Sequence, residues 1–544
     1  MRFSLPRWTP GSYVLRDYVR CLETLIVSQG NCPLAVQRRD PSAWSVSLAG
    51  QDPVLIRYRI LATELTVRTC HLNGEHGFLA LAAVVMQVEG ERWSPHRLTL
   101  SLPEGWQSFV PLPEDGEGRW LARNYDQLVD SPVEVGPHPC HSFSVAGVPH
   151  RWVSWGGDLP QNDPDFLRDV ERICYACCAL MGEDKPAADS YLFILHLLDQ
   201  GYGGLEHDFS SVLQYGRRAL RKQDGRRKLL QLVAHEYLHQ WNVRRLRPIE
   251  LTPIDYDQPS IVPSLWFSEG ITSYFDELLP VAAGIADEDD LLRDLGDSLS
   301  RFRLTPGRHV QSLRLSSQEA WVKLYRRDAY SADNQVSYYL KGAVLAFVLD
   351  LHLRRQKSCL ATVLRLLWCS HGRWGRGFRE ADLIDAFSSQ AEDLSILLPE
   401  WLECTDDLDI DNYLMDIGLC LKPKYSTCWF LGWTIDASPG RGLKLKTVNR
   451  HGPAEAAGLE VGDELIALDD LRLLDVEQLA SLLQCESGVE QSQSRSLTVC
   501  RDGRIRQLSI KPTSPAIASW QLAVDSQAPT TCQERRKRWL SLAP

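Results

Sequence analysis

Residues 226–241, RRKLLQLVAHEYLHQW, decide the fold, because they combine a helical pattern with a metal-ligand motif. The apolar run predicts a helix, and His235 and His239 lie four residues apart in it. At 3.6 residues per turn, both imidazoles leave nearly the same face and can bind one tetrahedral Zn²⁺. Glu236 lies beside them, where its carboxylate can activate a metal-bound water. The alternative is a surface helix that carries two histidines.

A catalytic zinc site needs a third protein ligand, and Glu269 can supply it. It lies in residues 265–275, LWFSEGITSYF, which we predict to form an amphipathic helix. A lone acid inside an apolar stretch needs a partner, and a cation is the natural one. The alternative is an ordinary exposed helix carboxylate, which we expect Asp276 and Glu277 to be.

Length and composition predict a protein of several folded domains. The chain has 544 residues, of which 44% are hydrophobic and 24% charged, and this excludes a largely disordered chain. The pattern predicts an antiparallel β domain over residues 1–165 and an α-rich region over 166–422. A small β-rich module follows over 423–513, and residues 514–544 form a tail to which we assign no function.

Charge and cysteine usage restrict the partners and the compartment. The net charge of −11 argues against a nucleic-acid binder, and no apolar run reaches the roughly 20 residues of a membrane-spanning helix. Fifteen scattered cysteines and the lack of an apolar signal region predict a cytoplasmic protein with reduced thiols. We expect the group Cys174, Cys177 and Cys178 to be buried thiols on a helix face rather than a metal site.

Several motifs along the chain carry a resemblance to a known family. They are RWTPGSYVLRDYVR (7–20), YDQLVDSPVEVG (125–136), GYGGLEHDFSS (201–211), HEYLHQWNVRRLRP (235–248), SLWFSEGITSYFDELL (264–279) and VSYYLKGAVLAFVLDLHLR (336–354). In this order they resemble the glycyl aminopeptidase family, zinc peptidases with a PDZ domain that are distant relatives of aminopeptidase N. The resemblance implies a multidomain α+β protein with an N-terminal antiparallel β domain, a thermolysin-like zinc peptidase domain with a helical continuation, and a C-terminal PDZ domain. Family members usually carry further strand sequence before the WTPGSY motif, which leaves open a translation start upstream of Met1.

The resemblance also implies roles for individual residues. His235, His239 and Glu269 bind one zinc ion per chain, and Glu236 is the general base. The Tyr of a Tyr-x-Lys-Gly motif, Tyr339, stabilises the tetrahedral oxyanion. The adjacent Tyr338 is the alternative, and consecutive helical side chains point about 100° apart, so only one of the two is expected to face the zinc.

An aminopeptidase must also recognise a free α-ammonium group. Residues 203–207, GGLEH, occupy the place of the Gly-x-Met-Glu-Asn strand of aminopeptidase N relatives, with departures at Leu205 and His207. The resemblance implies that Gly203 and Gly204 let the substrate backbone approach and that Glu206 binds the amine. The alternative is a glycine-rich turn with a solvated glutamate.

The C-terminal module has its own resemblance. WFLGWTID (429–436), GPAEAAGLEVGDELIALDD (452–470) and DVEQLASLL (475–483) are similar to bacterial PDZ domains. The resemblance implies a carboxylate-binding loop made of Phe430, Leu431, Gly432 and Trp433, with the helix 475–483 as the other wall of the groove. A C-terminal peptide ligand would add there as a β-strand. A purely structural PDZ domain is the alternative.

The sequence and its resemblance therefore predict a zinc aminopeptidase that acts on short peptides with N-terminal Gly or Ala. Peptide substrates, a possible PDZ ligand and the zinc ion are the expected partners, without nucleic acid or membrane. Two alternatives stay open: a zinc endopeptidase of the same fold, and a PDZ adaptor whose peptidase domain only binds peptides. The oligomeric state is left open.

Overall fold

The structure, a computed structural model, describes residues 1–436, 442–485 and 493–542. The chain divides into two compact units. The first unit comprises Met1–Glu288, Leu349–Pro399 and Arg538–Pro544, and the second unit comprises Asp289–Val348 and Glu400–Lys537. Each unit thus joins segments that are far apart in sequence.

The first unit begins with an N-terminal domain of small antiparallel sheets. Its elements are β1 (Arg2–Ser4), β2 (Leu22–Gln29), β3 (Cys32–Pro33), β4 (Val36–Asp40), β5 (Ala43–Val46), β6 (Val54–Ile60), β7 (His71–Leu72), β8 (Gly77–Leu79), β9 (Gln87–Val88), β10 (His96–Thr99), β11 (Gln107–Phe109), β12 (Arg119–Ala122), α1 (Tyr125–Val129) and β13 (Val133–Gly136). The strands pair in the orders β4-β5-β1-β9, β3-β2-β6, β10-β12 and β11-β13-β8-β7. In β6, exposed and half-buried residues alternate, as expected for a strand with one face towards water.

A mixed five-stranded sheet follows and supports the candidate site. Its strands are β14 (Cys140–Val145), β15 (Val148–Trp155), β16 (Tyr191–Leu198), β17 (Tyr202–Glu206) and β18 (Ser210–Gly216). They run in the order β14-β15-β16-β18-β17, with β15, β16 and β18 parallel and β17 antiparallel at the edge. Strands β14 and β15 thus pair with this sheet although they precede residue 165, and the domain boundary there stays a prediction.

The middle of the chain is helical, and the predicted α+β organisation is confirmed. The helices are α2 (Leu159–Asn162), α3 (Phe166–Met181), α4 (Arg217–Leu220), α5 (Gly225–Leu238), α6 (Ile271–Ala282), α7 (Glu288–Arg303), α8 (Leu313–Gln318), α9 (Ser331–Asn334), α10 (Tyr338–Arg355), α11 (Leu360–Ser370), α12 (Glu380–Ser388), α13 (Leu394–Glu403) and α14 (Ile410–Asp416). Cys174, Cys177 and Cys178 are buried on α3, which confirms the prediction for these thiols. Among the described helices, none has the length and apolar character needed to cross a bilayer.

The second unit contains the C-terminal β module. Its elements are β19 (Leu419–Tyr425), β20 (Trp433–Asp436), β21 (Leu443–Val448), α15 (Pro453–Ala456), β22 (Glu464–Leu468), β23 (Leu471–Arg472), α16 (Val476–Leu482), β24 (Arg495–Arg501), β25 (Arg504–Ile510) and β26 (Ile517–Val524), followed by α17 (Thr530–Leu540). The module sheet has the order β20-β21-β22-β24-β25, with β23 paired to β22. The tail is built into the fold, because β26 pairs with β19 and Trp539 is fully buried.

Candidate active site

Helix α5 brings the two histidines of residues 235–239, a His-Glu-x-x-His (HExxH) motif, close together. His235 lies in the last turn of the helix, and His239 directly follows its last residue, Leu238. The centroids of the two imidazole rings are 4.6 Å apart. Their Nε2 atoms lie 3.5 Å and 3.3 Å from the same carboxylate oxygen, Oε2 of Glu269. Two segments of the chain thus bring three potential ligand atoms together.

Glu269 lies on a wider, π-helical turn, Trp266–Gly270, directly before α6. Such a turn was not part of the predicted amphipathic helix, and short π-helical segments often occur at functional sites. Glu269 is 1% exposed, and burial alone would raise its pKa. The positive charges of the neighbouring His239 and His235 instead lower the pKa of Glu269 to about 2. The carboxylate is therefore ionised at neutral pH.

The three residues fit a zinc ion. One ligand atom from each of His235, His239 and Glu269 lies within 4.8 Å of the other two. Oε2 of Glu269 is buried and has no hydrogen-bond partner among the described residues. Two imidazoles and one carboxylate are a donor set of catalytic zinc sites, which leave one position open for water or substrate.

The second ring nitrogen of each histidine is held by a hydrogen bond. Nδ1 of His235 lies 2.7 Å from Oδ2 of Asp276, and Nδ1 of His239 lies 2.6 Å from the carbonyl oxygen of Asn242. Partners of this kind fix the ring orientation and leave Nε2 for a metal. The expectation that Asp276 is an ordinary exposed carboxylate is wrong. It follows Glu269 by seven residues, or two helical turns, and this spacing was the available signal.

A second buried cluster also combines two histidines with a glutamate, namely His76, His196 and Glu134. Nδ1 of His76 and Nε2 of His196 each lie 2.9 Å from a carboxylate oxygen of Glu134. The opposite ring atoms, Nε2 of His76 and Nδ1 of His196, are buried without a hydrogen-bond partner in the described chain. If the ring nitrogens that face Glu134 bound a metal ion, the proton of each neutral ring would lie on the opposite nitrogen, as a buried N–H without an acceptor. We therefore interpret the cluster as a carboxylate that accepts hydrogen bonds from two imidazole N–H groups.

Glu236 lies between the histidines and strand β17. Its side chain is 4% exposed, and burial raises its pKa to about 7 despite the lowering effect of His235 and His239. A carboxyl group with a pKa near 7 can accept and return a proton at neutral pH. A Cβ atom at Gly204 on β17 would overlap the Glu236 carboxylate. Only glycine lets the strand come this close to the carboxylate.

Strand β17 ends at a buried carboxylate, that of Glu206. The strand runs from Tyr202 through Gly203 and Gly204, pairs only with β18 among the described strands, and has an open edge. Glu206 is 4% exposed, and its Oε1 has no hydrogen-bond partner in the described ranges. Its carboxylate lies in one group with Glu236 and His239, with ligand atoms within 4.8 Å of one another. An unpaired carboxylate at this depth calls for a cationic partner.

The N-terminal domain reaches the same place through Gly11. This residue has φ +79°, and a Cβ atom there would lie 2.6 Å from both carboxylate oxygens of Glu206. The main chain of the Gly11 turn therefore covers the far side of the Glu206 side chain. No residue of this domain was predicted as a site residue, and no local pattern around Gly11 indicates that it contacts Glu206.

The two candidate oxyanion residues lie in the second unit, at the start of α10. The rings of Tyr338 and Tyr339 stack with centroids 4.8 Å apart, and both hydroxyls lie 3.3 Å from that of Tyr325. The two rings therefore pack against each other rather than pointing apart, and the choice of Tyr339 over Tyr338 stays a prediction. Nζ of Lys341 donates to three backbone carbonyls and fixes the first turn of α10. Tyr325 was not found from the sequence.

The PDZ-like module has an apolar groove of about 320 Å³ between its N-terminal loop and α16. It is lined by Ser426, Cys428, Trp429, Phe430, Leu431, Gly432, Trp433, Ile435, Val476, Leu479, Ala480, Leu483 and Ala516. All four loop residues named from the sequence thus line it, together with the predicted opposite helix. The amides of Trp429 and Phe430 donate to the carbonyl oxygens of Leu483 and Thr513.

Comparisons with known proteins agree with this organisation. The chain matches the family models of the M61 glycyl aminopeptidase over residues 228–345, the peptidase M61 N-terminal domain over 1–137 and the PDZ domain over 445–491. The crystal structure of an aminopeptidase N family protein from Idiomarina loihiensis is similar with a TM-score of 0.91 and 30% identity, over 99% of this chain and 95% of that one. Yeast LTA4 hydrolase in complex with bestatin matches with a TM-score of 0.47 and 14% identity, over 77% of this chain and 64% of that one. A search of curated proteins gave no match.

The matches confirm the predicted family resemblance and the fold class. The N-terminal antiparallel β domain, the helical peptidase region and the C-terminal PDZ domain are each found. The comparisons also support peptidase activity.

Proposed function

We propose that this chain, which belongs to the M61 glycyl aminopeptidase family, is a zinc-dependent aminopeptidase. It would remove N-terminal residues, with Gly or Ala preferred, from peptides. The observation that carries the proposal is the buried, unpaired carboxylate of Glu206 beside the HExxH motif. A carboxylate in this place is suited to the α-ammonium group of a substrate.

His235, His239 and Glu269 would hold one zinc ion, which, when bound, acidifies a water and polarises the scissile carbonyl. Glu236 does not bind the metal in this proposal. Its carboxylate takes the proton of the attacking water and passes it to the leaving amine. Burial, which raises the pKa of Glu236 to about 7, suits this double role.

The edge strand β17 would bind the substrate main chain. Gly203 and Gly204 have no side chain to keep a peptide away, and the strand edge offers backbone groups for pairing. Glu206 would bind the terminal amine, and the turn at Gly11 covers the space behind it. A chain that extended beyond its first residue would meet this turn, which favours an exopeptidase.

We assign Tyr339 as the hydroxyl that stabilises the tetrahedral oxyanion. The assignment rests on the Tyr-x-Lys-Gly motif and on the fixed turn around Lys341. A phenolic donor needed only as charge develops on the oxygen would act mainly on kcat.

The experiment that tests the proposal compares glycyl p-nitroanilide with its N-acetylated form. A zinc aminopeptidase cleaves the first, loses activity on chelation and spares the second, whereas an endopeptidase cleaves N-acetylated peptides as well as free ones. Glu206→Ala should lower kcat/KM for the free substrate by at least about tenfold, because a charge-assisted hydrogen bond is worth about 1.5–3 kcal/mol. The matched control is Glu75→Ala, at an exposed loop position. Equal losses on free and acetylated peptides would contradict the role of Glu206, and a PDZ adaptor would cleave neither substrate.

A second function, peptide binding, is favoured by the apolar groove of the PDZ domain. Phe430, Leu431, Gly432 and Trp433 would bind a C-terminal carboxylate, and the apolar walls would take the last side chain. Ala480→Arg on α16 should fill the groove and abolish binding of a fluorescent peptide with a free C-terminal Leu. Glu477→Arg, an exposed position on the same helix, is the control. A peptide with an amidated C-terminus that binds equally well would contradict carboxylate recognition.

A further inference from the structure

Arg68 of the N-terminal domain points its guanidinium at the edge strand β17. Its Nη2 donates to the carbonyl oxygen of Gly204 at 3.3 Å. Its Nε is buried and has no hydrogen-bond partner in the part of the chain that the structure describes. Among the described residues, the Gly204 carbonyl is thus the only hydrogen-bond partner of the Arg68 side chain, and its guanidinium lies at the edge of the candidate active site.

Arg68 differs in this respect from Arg244, another arginine of the first unit. The guanidinium of Arg244 lies 2.8 Å from Asp130 and 2.9 Å from Asp208. Over residues 1–436, 442–485 and 493–542, no salt bridge joins Arg68 to an Asp or Glu. A partly buried guanidinium without a carboxylate is costly to hold. An anionic ligand would supply the missing partner, ideally a planar carboxylate that accepts two hydrogen bonds.

The position of Arg68 along β17 indicates which part of a substrate it would meet. In an antiparallel ladder, the N–H and C=O of one residue point to the same side of the strand. Because the carbonyl of Gly204 meets Arg68, the backbone groups of Gly204 face the open edge. A peptide whose amine is at Glu206 and which pairs with this edge runs from Glu206 towards Gly204.

The spacing between Glu206 and Gly204 corresponds to two residues of extended chain, or about 6.7 Å. This is also about the distance from the amine to the C-terminal carboxylate of an extended dipeptide. Glu236, whose carboxylate lies against Gly204 and close to Glu206, is then beside the single peptide bond. The amine, the reacting bond and the carboxylate would each have a partner on the protein.

We infer that Arg68 binds the C-terminal carboxylate of dipeptides, and that dipeptides are a preferred substrate class of this site. The inference rests on the proposed aminopeptidase function and adds a residue from the N-terminal domain to the substrate site. The C-terminal carboxylate of the substrate carries the same charge in the ground state and in the transition state. Its binding to Arg68 should therefore lower KM rather than raise kcat.

The test measures kcat and KM for Gly-Leu and for its C-terminal amide with the zinc-loaded full-length protein. In the wild type, the free acid should be cleaved with at least about tenfold higher kcat/KM than the amide, mainly through KM. Arg68→Met should remove this difference by affecting the acid alone, and Arg68→Lys should retain part of it because the charge remains. Arg57→Met, on an exposed position of β6, is the matched control and should behave as the wild type.

The possible outcomes distinguish a failure of this inference from a failure of the proposed function. If the wild type cleaves glycyl p-nitroanilide but does not distinguish the acid from the amide, the inference is wrong and the aminopeptidase stands. If Arg68→Met lowers the rates of acid, amide and anilide equally, Arg68 is a structural contact of Gly204, and the inference is again overturned. If the wild type cleaves none of the three, the proposed function itself fails.

Discussion

The hydrogen bond between His235 and Asp276 provides the sharpest test of the metal centre. Nδ1 of His235 lies 2.7 Å from Oδ2 of Asp276, whose side chain is 19% exposed. A hydrogen bond that involves a charged group is worth about 1.5–3 kcal/mol. Since about 1.4 kcal/mol corresponds to a factor of ten, its loss should weaken zinc binding by about 10- to 100-fold. The residual exposure lets water replace part of the bond, so we expect Asp276→Ala to raise the zinc Kd by about 10- to 30-fold.

The assay is competition with a chromophoric zinc chelator at neutral pH, using the full-length protein. Asp276→Asn should have a smaller effect than Asp276→Ala, because the amide oxygen still accepts a hydrogen bond from Nδ1 but carries no charge. Asp199→Ala is a suitable control, since this exposed residue pairs with Arg218 on the same unit. His235→Ala, which removes a ligand, should lower the bound zinc in purified protein outright.

An unchanged zinc Kd in Asp276→Ala would refute the reasoning. It would mean that His235 is not a ligand or that its orientation is set by its packing alone. His235→Ala separates these two cases, because a protein that keeps its full zinc content after this change does not use His235 as a ligand.

Three further predictions concern Glu236, the tyrosine pair and the buried Trp539. Glu236→Gln should abolish hydrolysis and keep stoichiometric zinc by mass spectrometry, and loss of zinc would mean that this residue is a ligand. Tyr339→Phe should lower kcat by about 10² with little change in KM. If Tyr338→Phe shows that loss instead, the assignment within the stacked pair is wrong. Trp539→Ala should destabilise the protein by about 3 kcal/mol in thermal unfolding, because the ring is fully buried and its Nε1 donates to the Tyr274 hydroxyl at 2.8 Å. Trp374→Ala, at a 70% exposed side chain, should change stability little.

Local sequence determined those parts of the site that depend on a single helix or strand. The four-residue spacing of His235 and His239 already placed both rings on one face, and the apolar surroundings of Glu269 indicated a buried acid that needs a cation. These two inferences use only the period of a helix and the cost of burying a charge. The substrate strand before Glu206 was implied by the family resemblance of residues 203–207.

Three local features of the site were not predicted from the sequence. Tyr338 and Tyr339 were expected to diverge by about 100°, but they stack in the first turn of α10 and share a contact with Tyr325. Glu269 lies on a π-helical turn that its apolar neighbours did not reveal. Asp276 was read as an exposed carboxylate, although its seven-residue distance from Glu269 placed it on the same helix face.

What only the tertiary structure decided is the contribution of distant segments to the site. Gly11 and Arg68 lie far before β17 in sequence, and nothing in their local patterns names Glu206 or Gly204 as a neighbour. The same holds for Trp539, which comes from the tail and meets Tyr274. The physical reason is that helical and strand periods fix directions only within one element, whereas contacts between elements depend on how sheets and helices pack. The sequence therefore determined the zinc-ligand motif, and the packing of the sheets decided that β17 is an edge strand and that Gly11 and Arg68 lie beside it.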